Sequence, residues 1–94
     1  MNVSIKEIIN NLSDINIIDV RSTQKYNDNH IPYAKSIPSE QLIANPSKHL
    51  CFGRTYYLYC QKGFTSIKVC QALRLKGYTV VSIRGGYESW LLER

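Results

Sequence analysis

The chain alternates between two hydrophobic periodicities. In "SIKEIINNL", Ile5, Ile8, Ile9 and Leu12 recur at helical spacing behind Ser4-x-x-Glu7, the pattern of a capping box. A first helix is expected there. "INIIDV" at 15–20 is short and almost continuously apolar, which predicts a strand buried on both faces and hence a parallel sheet. One or two helical turns are expected from Ser22. Pro32 and Pro38 hold the segment between them extended, because each pushes its predecessor out of the helical region. "SEQLIAN" predicts a short helix capped by Ser39 and stopped at Asn45-Pro46, and 46–54 reads as loop. "TYYLY" at 55–59 is a second strand. Residues 65–76 form a helix with Val69, Cys70 and Leu73 on one stripe, ended by Gly77. "TVVSI" at 79–83 is a third strand, Gly85-Gly86 turns the chain, and "YESWLLE" closes it as a helix. Strands alternating with helices imply an α/β class, with a small, mostly parallel central sheet and helices on both faces.

Composition narrows the choice of partners. Ninety-four residues that are 44% hydrophobic suit one domain over residues 1–94 with one modest core. No apolar stretch approaches the roughly 20 residues of a membrane span, and "MNVSIKEI" lacks the pattern of a signal peptide. A cytoplasmic protein with no membrane association is expected, and in that compartment its three cysteines are thiols. The net charge of +5 suits an anionic partner. The basic residues are scattered and no nucleic-acid-binding motif occurs, so nucleic acid is not expected.

The chemistry concentrates in "YLYCQKGFTS" at 57–66. A strand ends on a thiol, Cys60, and the chain bends at once through Lys62 and Gly63 into a helix. In a parallel sheet, ligands bind at the carboxyl ends of strands, beside the N-termini of the following helices. The loop Gln61, Lys62, Gly63, Phe64, Thr65 and Ser66 can curl so that its amides face the sulfur, with the helix dipole behind them. Such a cradle stabilises a thiolate, and equally a negative atom attached to the sulfur. A nucleophilic cysteine that carries something anionic is expected.

Three segments, in order, then match one family. "IIDVR" followed by "YNDNHIPYAKSIP", then "CQKGFTS", then "VVSIRGGYESW" resemble the signatures of the rhodanese superfamily, single-domain type, over essentially the whole chain. The resemblance implies a rhodanese-like fold and sulfurtransferase chemistry. Cys60 would take sulfane sulfur from a donor, become a persulfide, and pass the sulfur to a thiophilic acceptor: a thiol, cyanide or a sulfur-acceptor protein. Cys-x-Lys-Gly-x-Thr is similar to the loop of members that use thiosulfate. An ammonium at Lys62 suits that small dianion, whose leaving group is sulfite. Lys25 stands where those relatives place a second basic substrate contact. The chain departs from the family at Thr65, where many single-domain members have Arg, and at Asn29 and Tyr33, where the family has Gly. Phosphatases that share the fold carry a longer loop ending in an arginine; here that place holds Ser66, so phosphatase activity is not expected. The alternative class is a sulfur-carrier, redox-sensing or protein-binding module without turnover.

Other candidates read as structural. Cys70 lies on the apolar helix stripe, and Cys51 has no assigned role. Asp19 and Arg21 are expected to brace the site from the end of their strand. His30 is expected to support its turn, and Tyr87 and Trp90 to pack the last helix on the sheet. Two histidines without paired cysteine spacing do not indicate a metal site, and no cofactor is implied.

Overall fold

A computed structural model describes residues 1–94. Five strands, β1 (Asn2–Val3), β2 (Asn16–Asp19), β3 (Lys35–Ser36), β4 (Thr55–Tyr59) and β5 (Thr79–Ile83), form one sheet in the order β1-β5-β4-β2-β3. Every pairing is parallel; Ile18 lies beside Leu58, and Leu58 beside Ser82. The helices are α1 (Ile5–Ile8), α2 (Thr23–Asp28), α3 (Ser39–Ala44), α4 (Phe64–Leu75) and α5 (Gly86–Glu93). No helix is long and apolar enough to cross a membrane.

Strand side chains alternate between two faces, and each face builds its own core. Ile18, Leu58 and Val80 pack with Leu42 of α3 and Val69, Cys70 and Leu73 of α4. Ile17, Tyr59 and Ile83 pack with Ile5 and Ile8 of α1 and Tyr87 of α5. The expected three-strand sheet is therefore completed by two edge strands of two residues each.

Local differences have local causes. The first helix is α-helical only to Ile8, and a 3-10 segment follows over Ile9–Asp14 with a break at Asn11 (φ −123°). Asn and Ser are poor in helix interiors because they compete for the backbone, yet Leu12 stays buried. Ser39 does not cap α3. Pro38 occupies the cap position, while the Ser39 amide donates to the Val20 carbonyl (3.0 Å) and its hydroxyl to Glu40 (3.3 Å). Ser22 does cap α2, accepting from the Lys25 amide at 3.3 Å. The Glu7 carboxylate accepts from the Ser4 amide at 2.7 Å, and that bond holds its pKa below the ordinary value. Asn29 is extended (φ −165°), whereas Tyr33 adopts the left-handed conformation (φ 71°) that a glycine would take without strain.

Candidate active site

Cys60 follows β4, the central strand, at the carboxyl edge of the sheet. It is buried, and its side chain continues the face of Tyr56 and Leu58 toward α4. The chain then turns through Gly63, whose φ of 101° is open to glycine, into the first turn of α4. The Gly63 and Ser66 amides donate to Cys60 Sγ at 3.1 and 3.3 Å. The thiol donates in turn to Ser66 Oγ at 3.6 Å. Of the expected amides of residues 61–66, these two reach the sulfur.

For amides to face inward, carbonyls must face elsewhere. The Cys60 and Gln61 carbonyls accept from the Tyr87 and Glu88 amides at 2.8 and 3.1 Å, so the first turn of α5 secures the underside of the loop. Gly86 permits this approach: a Cβ there would lie 2.3 Å from the Cys60 oxygen. A Cβ on Gly63 would meet the Gly85 nitrogen at 3.0 Å. The glycine pair thus serves close backbone contact as well as the turn.

Beneath the loop lies a buried polar network. The Asp19 carboxylate accepts from the Arg21 guanidinium (2.8 Å at the shorter contact), the Arg21 amide (2.9 Å) and the Tyr59 hydroxyl (2.7 Å). Arg21 also donates to the Gln61 side-chain oxygen (3.0 Å) and the Asn29 carbonyl (2.6 Å), and its guanidinium lies 4.2 Å from the Tyr87 ring centre. One side chain therefore ties β2, α2, the loop and α5 together. Burial works against the Arg21 charge, but the hydrogen-bonded Asp19 carboxylate outweighs it and leaves the pKa above the ordinary value. Burial pushes the Tyr59 phenol well up, so it remains a donor. Asp19 and Arg21, expected to brace the site, lie together in this network, and Arg21 reaches the loop through Gln61. Tyr59 was not singled out by its sequence context, and only its pairing with residues 31 and 19 reveals its part.

Above the sulfur the surface is cationic. A cavity of about 300 Å³ is lined by Cys60, Gln61, Lys62, Phe64, Thr65 and Lys25. A second of about 300 Å³ shares Cys60, Lys25, Gln61 and Thr65 with it and adds Arg21 and Glu40. A third, about 420 Å³, shares Arg21, Lys25 and Gln61, carries Asp28 beside them and extends to Arg94. The structure thus brings Lys25 of α2 beside the loop, although 35 residues separate it from Cys60. Lys62, Phe64 and Thr65 are exposed at the mouth, and Ser66 is buried.

The other thiols lie elsewhere. Cys70 is fully buried, and burial pushes its pKa up to about 11, as suits a core thiol. Cys51 is exposed and lines a separate cavity with His49 and Arg54. His30 stacks on Tyr26 with ring centres 3.9 Å apart, and its Nδ1 lies 3.0 Å from the Tyr26 carbonyl oxygen. Tyr87 is buried against the sheet and Trp90 is half-buried beside it.

The family model described as the rhodanese-like domain matches residues 4–93. The Bacillus subtilis protein YqhL is 33% identical over 75 residues, covering 79% of this chain and 59% of its own length. The chain therefore spans less than two thirds of YqhL. A sulfurtransferase of Allochromatium vinosum is 27% identical over 88 residues, 93% of this chain and 81% of that protein. The structure of the human single-domain sulfurtransferase TSTD1 superposes with a TM-score of 0.87 at 25% identity, over 99% of this chain and 96% of that one.

Proposed function

The chain belongs to the rhodanese-like family of sulfurtransferases, and from that premise we propose that it moves sulfane sulfur through a persulfide on Cys60, with thiosulfate as donor. Residues 1–94 act as a single rhodanese-like domain. The observation that carries this reading is the Cys60 sulfur held by two backbone amides under a cavity lined by Lys25 and Lys62.

The thiolate attacks the outer sulfur of thiosulfate. A Cys60–S bond forms, the bond to the sulfonate sulfur breaks, and sulfite leaves with the electron pair. Lys62 and Lys25 stabilise the charge gathering on the sulfite oxygens. The negative outer sulfur of the persulfide then sits in the mouth of the loop, where the amides of Gln61, Lys62, Phe64 and Thr65 can serve it. Gly63 and Ser66 hold the inner sulfur. A thiophilic acceptor, cyanide or a thiol, attacks the outer sulfur and returns Cys60 to the thiolate.

Mass spectrometry after mixing with thiosulfate, without acceptor, is the direct test. One sulfur atom should be gained at Cys60, and turnover with cyanide should be ping-pong. Cys60→Ser should do neither. Sulfur uptake by that variant would refute the mechanism, and uptake by the native chain without turnover would favour a carrier module.

A further inference from the structure

Ser82 was not among the residues expected at the site, yet it stands one hydroxyl away from the sulfur. It is the buried polar member of the run "TVVSI", 2% exposed, on the sheet face that carries Leu58 and Cys60. Its hydroxyl lies 2.8 Å from Ser66 Oγ and has no other hydrogen-bond partner.

Either hydroxyl could donate across that bond, and counting protons selects one direction. Buried hydroxyls are nearly always satisfied, and each has one proton and two lone pairs. The one acceptor within reach of Ser82 is Ser66 Oγ, so Ser82 donates. Ser66 thereby fills one lone pair, and its own proton has two destinations: the Gly63 carbonyl at 3.3 Å and Cys60 Sγ at 3.6 Å. When the sulfur is a thiol, it donates to the second lone pair of Ser66, and Ser66 donates to Gly63. When the sulfur is anionic it has no proton to give, and the Ser66 hydroxyl turns to donate to it. Ser82 donates in both states and polarises the Ser66 hydroxyl toward the sulfur.

We infer that Ser82 is a positioning residue for Cys60: by donating to Ser66 Oγ it holds the Ser66 hydroxyl where it can donate to an anionic sulfur. The inference rests on the reading of Cys60 as the sulfur-carrying nucleophile.

The experiment compares Ser82→Thr with Ser82→Val, which share a shape and differ in the hydroxyl. Cys60 alkylation by iodoacetamide is followed against pH in a Cys51→Ser background, so that the exposed thiol does not contribute. Lys25, Lys62, Arg21 and Glu40, the charged side chains around Cys60, stay intact in every variant. Thr should keep the native profile. Val should move it to higher pH and react about three- to tenfold more slowly at neutral pH, the worth of one neutral hydrogen bond. Coincident Thr and Val profiles would overturn the inference. If the branched pair does not fold, Ser82→Ala, smaller and without the hydroxyl, must show the shift instead, and a native profile there overturns it equally. Alkylation needs no sulfur donor, so a protein that takes no sulfur from thiosulfate would defeat the proposed function and leave this test standing.

Discussion

Gly86→Ala should damage stability and site together, by an amount the geometry sets. At φ 59° an added Cβ is strained, and it would lie 2.3 Å from the Cys60 oxygen and 2.9 Å from the Gln61 oxygen. Backbone atoms cannot rotate aside, so α5 and the loop must separate. That weakens the bonds from the Tyr87 and Glu88 amides. The left-handed backbone costs about 1–2 kcal/mol, partly offset because alanine also stiffens the unfolded chain. Two hydrogen bonds add about 2 kcal/mol and the forced separation about 1–3 kcal/mol. The expected total is about 3–6 kcal/mol, a large part of a small domain's stability. Gly53→Ala is the matched control, with φ 86° and nothing within 4 Å of its Cβ, and it should cost about 1 kcal/mol or less. Urea denaturation measures both, and iodoacetamide alkylation of the folded fraction in the Cys51→Ser background reports the loop. If Gly86→Ala loses no more stability than Gly53→Ala and Cys60 reacts as before, the idea that α5 secures the loop is wrong.

Lys62→Ala should lower kcat/KM for thiosulfate roughly 10- to 100-fold, the worth of a charge-assisted contact, while a neutral persulfide donor reacts almost normally. Equal losses with both donors would reduce Lys62 to a shaper of the loop. Tyr33→Gly should raise stability by up to about 1 kcal/mol, relief of the left-handed backbone being partly offset by a looser unfolded chain, a rise in Tm of up to about 4–8 °C by calorimetry. Cys70 has a folded pKa of about 11, above its unfolded value, so its contribution is complete below about pH 9 and is lost as pH rises toward 11. Cys70→Ala should therefore flatten the fall in stability over that window, read as urea midpoints against pH.

What the sequence reveals follows from how local each signal is. Cys60, Gly63 and the start of α4 are contiguous, so their strand-turn-helix pattern is legible in ten residues. The α4 stop is legible for the same reason: Gly77 takes φ 94° and its amide reaches the Arg74 carbonyl at 2.9 Å. The edge strands β1 and β3 are two residues long, too short to show any alternation. Ser39 shows the limit of a local cap signal, since Val20, distant in sequence, claims its amide. The Asp19–Tyr59 and Ser66–Ser82 contacts span 40 and 16 residues. Ser82 did leave one trace: a lone hydroxyl inside a buried strand requires a partner, though the partner's identity needs the fold.

The sheet is one residue thick, and it divides labour. The Asp19–Arg21–Tyr59 network belongs to the face of α1 and α5, whereas Cys60 belongs to the face of α4. The side chains proposed to meet a donor, Lys25, Lys62, Phe64 and Thr65, are exposed and make no side-chain hydrogen bond to the rest of the protein. Substitutions there reach the donor without crossing the buried network, and surface changes of that kind usually move stability by no more than about 0.5 kcal/mol. Donor preference can therefore drift, or be redesigned, one exposed residue at a time, while the machinery that holds the sulfur stays unaltered on the inner faces of the sheet.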